Sequence, residues 1–334
     1  MNLSEEKYKN YTLTREMLET PDIIRNFDHE AVKIFAETPN RSKLLFTGEG
    51  SSRTFPAKRA VYNNYIHGSP VTVFTEGSLQ SMEYFLDEVS VFGSSNSGRT
   101  KELISLMEYL RDKGHEQRFG LTSEENSLLK EYCNKTYVLS CGKEKAVAAT
   151  KSVIEQALFY DALLSSLRGE SLCELDAFAD SFQTVLETRV SREIFNHLAE
   201  ADMIYFAGRN NGVAEELALK TNEIIRKKSA YLEGTYAVHG IEEVMTERDV
   251  LVWIDPFENE IEKFSGALTN GVGVKIMAIS SSMIPLPGFK IPDVGRYAEY
   301  IQLAAGWNLL VETGIAMGVD MDKPLRARKI GNEY

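Results

Sequence analysis

The chain reads as an α/β protein made of two similar doubly wound parallel sheets, and three observations predict this. Short apolar runs recur through the first half: Leu44-Leu45-Phe46-Thr47, Val71–Phe74, Val89-Ser90-Val91-Phe92, Arg118–Leu121 and Thr136–Leu139. Such runs suit parallel strands buried on both faces. Amphipathic segments of helical length separate them, as a parallel sheet requires. The alternation then starts again at Met203-Ile204-Tyr205-Phe206-Ala207 and continues through Val250-Leu251-Val252-Trp253-Ile254 and Val274–Ile279. A chain of 334 residues, 43% of them apolar, has the length and the apolar content for two such cores.

Taken in order, residues 1–25 hold a short helix around Tyr11–Met17 that should stop before Pro21, an arm expected to dock over the domain behind it. The first strand runs into Gly48-Glu49-Gly50-Ser51-Ser52, and Arg53–Tyr65 reads as helix. Glycine lets the backbone approach a ligand, hydroxyls donate, and helix amides face an anion. A tight strand-to-helix turn satisfies the same pattern. The third strand ends in Gly93-Ser94-Ser95-Asn96-Ser97-Gly98-Arg99-Thr100, directly before the helix Lys101–Lys113. Hydroxyls clustered around Gly98 at a helix start can bind one phosphate, with the helix dipole favouring its charge. A capping box is the alternative use of those hydroxyls. The fourth strand leads into Thr122 and a helix at Ser127–Tyr132, and Glu144–Lys151 opens a long helix ending near Arg168. Residues 170–198 read as helical with no Gly/Pro-rich linker, so the halves should be joined rigidly.

In the second half, the turn Gly208-Arg209-Asn210-Asn211-Gly212 lacks hydroxyls, so phosphate binding is expected mainly in the first half; Arg99 and Arg209 can each aid an anion, but both read first as solvated. The helix beginning at Val213 places Val213, Leu217 and Ile224 on one stripe and Glu215, Asn222 and Arg226 opposite. Glu216, Lys220 and Glu223 stack at i, i+4 and i+7 on the flank of the stripe, at the expected edge of the core. A partly desolvated carboxylate there is suited to moving protons, with Lys220 beside it. The same spacing fits a plain salt-bridge ladder. A strand at Ala230–Glu233, a turn at Gly234 and then His239 follow. A last helix over Arg296–Met317 stops at Gly318 and leads into a basic tail.

The formal net charge of −12 argues against nucleic acid or an anionic membrane as partner. Cys133, Cys141 and Cys173 are odd in number and form no C-x-x-C pair, so neither a disulfide framework nor a metal site is expected, and no cofactor. The polar start MNLSEEKYKN lacks a secretory core and no run is long enough to span a bilayer; a cytoplasmic protein is expected.

The order Lys220-x-x-Glu223, strand, Ala237-Val238-His239-Gly240 resembles the second half of a double SIS (sugar isomerase) domain protein, such as the isomerase part of glucosamine-6-phosphate synthase or a galactosamine-6-phosphate deaminase/isomerase. Ser95-x-Ser97-Gly98-x-Thr100 resembles the family's phosphate loop, and Glu144-x-Ala-Val-Ala-Ala-Thr-Lys its closing segment, with Ala146 and Ala149 where the family has glycine and serine. Asp322-x-Pro324 with Lys329 five residues beyond resembles the closing tail more loosely. The resemblance implies two tandem SIS domains, each a five-stranded flavodoxin-like sheet, with a leader at 1–29, domains at 30–170 and 185–317, and a tail at 318–334 closing the active site. It implies isomerisation, or isomerisation with deamination, of an amino-sugar 6-phosphate. The roles it assigns are catalysis to Glu223, His239, Lys220 and Lys329, with Glu216 in support. Phosphate and sugar fall to Gly50, Ser51, Ser52, Ser95, Asn96, Ser97, Thr100, Val147 and Ala149. A homodimer or larger homo-oligomer with shared sites is implied as well. No glutaminase domain precedes the pair in this sequence, so glutamine-dependent amination by this chain alone is not expected. A deglycase acting on a phosphorylated amino-acid–sugar conjugate and a non-catalytic sugar-phosphate sensor are the alternatives.

Overall fold

The apolar runs of the first half become five parallel strands in a computed structural model that describes residues 1–37, 42–326 and 333–334. They are β1 Lys43–Gly48, β2 Thr72–Gly77, β3 Val89–Ser94, β4 Arg118–Thr122 and β5 Lys135–Val138, in the order β2-β1-β3-β4-β5. All of β3 and β4 is buried, which is why those strands carry no polar/apolar alternation. The register sets Phe46 opposite Phe92 and Phe92 opposite Phe119. The Phe92 and Phe119 rings stack with centroids 4.5 Å apart, and Tyr160 of the helix Lys151–Leu167 lies 4.1 Å from Phe46. Tyr160 also shares a hydrogen bond of 2.8 Å with Ser94 at the end of β3. Each such ring pair adds about 0.5–1.5 kcal/mol beyond its burial. The same helix packs on Ser51–Ile66, where Arg59 and Asp161 form a buried ion pair.

The second half repeats the plan. Its strands are β6 Met203–Gly208, β7 Lys228–Glu233, β8 Val250–Ile254, β9 Lys275–Ser280 and β10 Gly288–Lys290, in the order β10-β9-β8-β6-β7. Read from its own first strand, this is the connectivity of the first sheet. The three-residue strand β10 gives too short a pattern to register as periodicity. Trp253 of β8 stacks on Phe264 at 3.8 Å. The helix Val213–Ile224 packs against Ala298–Ala316, and its stripe of Val213, Leu217 and Ile224 is fully buried, as its spacing predicted. At this crossing a Cβ on Gly306 would lie 2.2 Å from Leu217 Cδ2 and 2.9 Å from its Cγ. A glycine inside a helix forfeits about 1 kcal/mol of propensity; here it lets the two helices close.

Residues divide into two units around these sheets. One holds Glu19–Lys145, Ala149–Asp176 and the final Glu333 and Tyr334; the other holds Met1–Leu18, Ala146–Ala148 and Ala177–Arg326. The first 18 residues thus belong with the second sheet: Tyr8 Oη donates to Glu312, and Asp322 accepts the backbone N–H groups of Thr12 at 2.6 Å and Leu13 at 3.0 Å. Asp322 therefore caps a helix more than three hundred residues away in sequence.

Two expectations need correction. The leader helix does not stop before Pro21 but runs Thr12–Arg25, because Leu13, Met17 and Ile24 form a stripe of fully buried residues that continues past the proline. Residues 170–198 are not one helix: Leu175–Glu187 and Arg192–Glu200 are separated by a break, and Glu174 adopts a positive φ of 59°. Among the described residues no helix is long and apolar enough to cross a membrane.

Replacing Gly306 by Val should force the two helices apart. We expect a loss of about 2 kcal/mol, within the usual range for overpacking, read as a lower urea midpoint at unchanged slope. An unchanged midpoint would mean that the glycine does not set the crossing distance.

Candidate functional site

In a doubly wound sheet, ligands bind beyond the carboxyl ends of the strands, where the strand order reverses. In the first sheet that point lies between β1 and β3. A cleft of about 600 Å³ opens there, lined by Ser52 from the start of the helix after β1, by Ser95, Asn96, Ser97, Arg99 and Thr100 from the loop after β3, by Ser123 and Glu124 after β4, and by Lys143, Glu144, Lys145, Ala149 and Glu333.

The loop after β3 is held open by internal bonds. Ser95 Oγ accepts the Gly98 N–H at 3.0 Å and shares a proton with Thr100 Oγ1 at 2.7 Å. Ser97 Oγ accepts the Arg99 N–H at 3.3 Å, which leaves its own O–H to donate. Gly98 has φ 63°, and a Cβ there would lie 2.4 Å from the Ser127 Cβ, so this position needs glycine. Thr100 is the N-cap residue of the helix Lys101–Asp112, yet its side chain makes no capping bond. The capping-box alternative therefore fails, and the helix amides are left to face the cleft end of the loop. Glu144 is almost fully buried, accepting Thr150 N–H at 2.7 Å, Thr150 Oγ1 at 3.1 Å, the Ser152 hydroxyl and, at 3.5 Å, Asn96 Nδ2.

In the second unit, the helix Val213–Ile224 carries a carboxylate–ammonium–carboxylate cluster. Lys220 Nζ lies 3.2 Å from Glu216 and 2.8 Å from Glu223. The core-edge expectation holds only for Glu223, whose side chain is 25% exposed; Glu216 and Lys220 are both 0% exposed and lie inside the core. The helix rotates them inward because its other faces pack on both β7 and the helix Ala298–Ala316. Burial works against the Lys220 charge, but Glu223 and then Glu216 outweigh it and hold the ammonium above the ordinary lysine value of 10.5. Lys220 is thus a fixed positive charge at neutral pH, and Glu223 is the member of the cluster that solvent reaches. His239 follows the turn at Tyr236–Val238 with its side chain exposed, outside this cluster.

Of the residues predicted from sequence, Ser52, Ser95, Asn96, Ser97, Thr100 and Ala149 line the cleft together. Gly50, Ser51 and Val147 are not among its lining residues: Gly50 and Ser51 form the helix entry, with Gly50 at φ 54°, and Val147 groups with the second unit. Lys329 lies outside the described residues. Arg209 is not simply solvated, since it pairs with Asp255 at 2.5 Å and stacks on Phe257. Sequence reasoning did not place Ser123, Glu124, Lys143, Glu144, Lys145 or Glu333 in the site. Ser123 could have been found from its place directly after a strand end; Glu333 arrives through an isolated bridge to Thr100 and a bond from Tyr334 N–H to Arg99 O at 3.1 Å, which no local pattern encodes. Among the described residues no group of three or more His, Cys, Asp and Glu side chains could hold a metal ion.

Residues 39–166 match the SIS domain family. The chain is 25% identical over 272 residues to a glutamine–fructose-6-phosphate aminotransferase (isomerizing) of Aeropyrum pernix; the match takes in 72% of this chain but only 43% of that protein. Its fold is similar to tagatose-6-phosphate ketose/aldose isomerase from Escherichia coli, with a TM-score of 0.79 at 16% identity over 97% of this chain and 99% of the other. It is similar to glucosamine-6-phosphate deaminase from Thermotoga maritima, with a TM-score of 0.75 at 18% identity over 97% and 99%. At these identities the structural likeness is one of fold.

The buried cluster generates a stability prediction. Lys220→Met removes the ammonium partner of a buried carboxylate and should cost about 3–5 kcal/mol, whereas Lys220→Met combined with Glu216→Gln should recover a measurable part of it in chemical denaturation. Because folding raises the Lys220 pKa, the contribution of the cluster is complete below the unfolded value of 10.5 and is lost only as pH rises through the higher folded value. Equal losses in the single and double variants would mean that the pair is not coupled.

Proposed function

We propose that this chain is a phosphosugar isomerase that interconverts the aldose and ketose forms of an amino-sugar 6-phosphate. The observation that carries the reading is the cleft at the β1/β3 switch point, where hydroxyls stand at a helix start without capping it, within the stretch that matches the SIS family. In this reading the second sheet belongs to a second SIS-type domain, which its strand order supports.

The chemistry follows from what each group can do. Ser97 and whichever of the bonded pair Ser95 and Thr100 keeps its O–H free donate to the phosphate, and the amides of the helix Lys101–Asp112 add partial positive charge. His239 moves a proton between the anomeric hydroxyl and the ring oxygen, which opens the ring. Glu223 removes the proton from carbon 2 and returns it to carbon 1 through an enediol or enolamine. Lys220, buried and held charged between its two carboxylates, positions Glu223 and keeps it ionised for this task. The division between a charged Lys220 and a solvent-reachable Glu223 supports an enzyme over a sensor, since phosphate binding alone needs neither.

Two outcomes test this. Ser97→Ala should raise KM far more than it lowers kcat, the signature of lost ground-state binding; unchanged affinity for sugar phosphates would remove the loop from the reading. Glu223→Gln keeps the shape but cannot accept a proton, so the rate should fall by about 10²–10⁴, together with solvent deuterium incorporation at carbon 1 or 2. Exchange at near the native rate would place the base elsewhere.

A further inference from the structure

The connection between β5 and the helix Lys151–Leu167 supplies Lys143, Glu144, Lys145 and Ala149 to the cleft, yet residues 139–150 form neither helix nor strand. Buried carboxylates accept its amides instead. Glu155 takes the Ser140 and Cys141 N–H groups at 2.7 Å each, and Glu144 takes that of Thr150 at 2.7 Å, both from nearby in the chain. The Ala146 N–H, in the middle of the segment, donates at 3.2 Å to Glu16 of the leader helix Thr12–Arg25, a buried residue 130 positions earlier. One turn further along the leader, Glu19 pairs with Lys151 Nζ at 2.6 Å. A lysine at the first position of a helix faces the positive end of the dipole. Lys151 is also only 10% exposed, so the carboxylate of Glu19 offsets both penalties.

The segment alternates. Glu144, Ala146, Ala148 and Thr150 are buried, whereas Lys145, Val147 and Ala149 between them are more exposed, and Lys145 and Ala149 line the cleft. A shift of one residue would exchange the two sets, as it does in a strand. A bond to the Ala146 amide fixes this register without using any side chain of the segment. Resting on the reading of this cleft as the substrate site of an isomerase, we infer that Glu16 is a positioning residue for the reaction: through the Ala146 N–H it sets which residues of the segment line the cleft. Glu19 supports it by anchoring the point where the segment enters its helix. Neither carboxylate is among the lining residues, so both act through the chain they hold.

The test follows hydrogen exchange by mass spectrometry, and turnover, on the full chain. In Glu16→Ala, peptides covering residues 142–151 should exchange at least about tenfold faster, the order set by one hydrogen bond to a charged group, while those of β3 and β4 keep the native rate. Glu16→Gln retains an acceptor and should stay within about threefold of the native chain in that segment. Turnover is read as aldose-to-ketose conversion of glucose 6-phosphate and glucosamine 6-phosphate. Its kcat/KM should fall at least about tenfold in Glu16→Ala, in step with the exchange, and return in Glu16→Gln. A role in stability alone would speed exchange through the sheet as well and leave turnover of the folded fraction unchanged. Glu19→Ala should loosen the same peptides by a smaller factor, about threefold, and adding it to Lys151→Met should change little further. Native exchange at 142–151 in both Glu16→Ala and Glu19→Ala, or faster exchange there with turnover intact, would overturn the inference and leave the isomerase reading standing. No turnover of either sugar phosphate by the native chain would remove the isomerase reading, and the positioning role with it, even where the exchange results are as expected. If Glu16→Ala does not fold, Glu19→Ala decides: native exchange and native turnover in that variant overturn the inference.

Discussion

Parallel pairing is the constraint from which the rest follows. A strand that must run in the same direction as its neighbour cannot turn straight back, so a helix returns the chain across a face of the sheet and every carboxyl end arrives at the same edge. The turns after β1, β3 and β4 therefore meet without any residue between them needing to reach far: Ser52, the loop Ser95–Thr100 and Ser123 come from positions about seventy residues apart in sequence and line one cleft. Reversal of the strand order between β1 and β3 separates their following helices to opposite faces, which leaves the gap that the cleft occupies. The same connectivity governs the second sheet, but there the turn after β6 carries asparagine and glycine instead of hydroxyls.

Both units place charge where water does not reach, and each instance is resolved by donors or by an opposite charge. Arg59 and Asp161 neutralise one another between two helices. Glu155 accepts the Ser140 and Cys141 amides and the Ser140 hydroxyl, which fixes the chain as it leaves β5. Glu144 is served by an amide and hydroxyls on the lip of the cleft, and Lys220 by two carboxylates, each one turn from it on its own helix. Buried groups of this kind contribute little net stability against an apolar alternative of the same shape. Their effect is to define orientation: an amide that faces one way, and an ammonium that remains charged next to a carboxylate that solvent can reach.

The chain by itself determined the α/β class, the strand runs and the hydroxyl loop, because each is carried by neighbours in sequence: apolar runs bounded by Gly and Ser, and a helical stripe at Val213, Leu217 and Ile224. It also marked Glu216, Lys220 and Glu223 as one constellation, since i, i+4 and i+7 spacing is local information. Tertiary structure decided what spacing cannot carry. How deeply Lys220 is buried depends on the Ala298–Ala316 helix, which Gly306 allows close to Leu217. The leader helix passes through Pro21 because distant packing outweighs one missing hydrogen bond. Asn96 meets Glu144, forty-eight residues later, and Asp322 caps a helix at Thr12. Periodicity reports the face on which a side chain stands; only the folded chain supplies the partner across that face, and with it the charge, the proton or the hydrogen bond that the side chain has left to give.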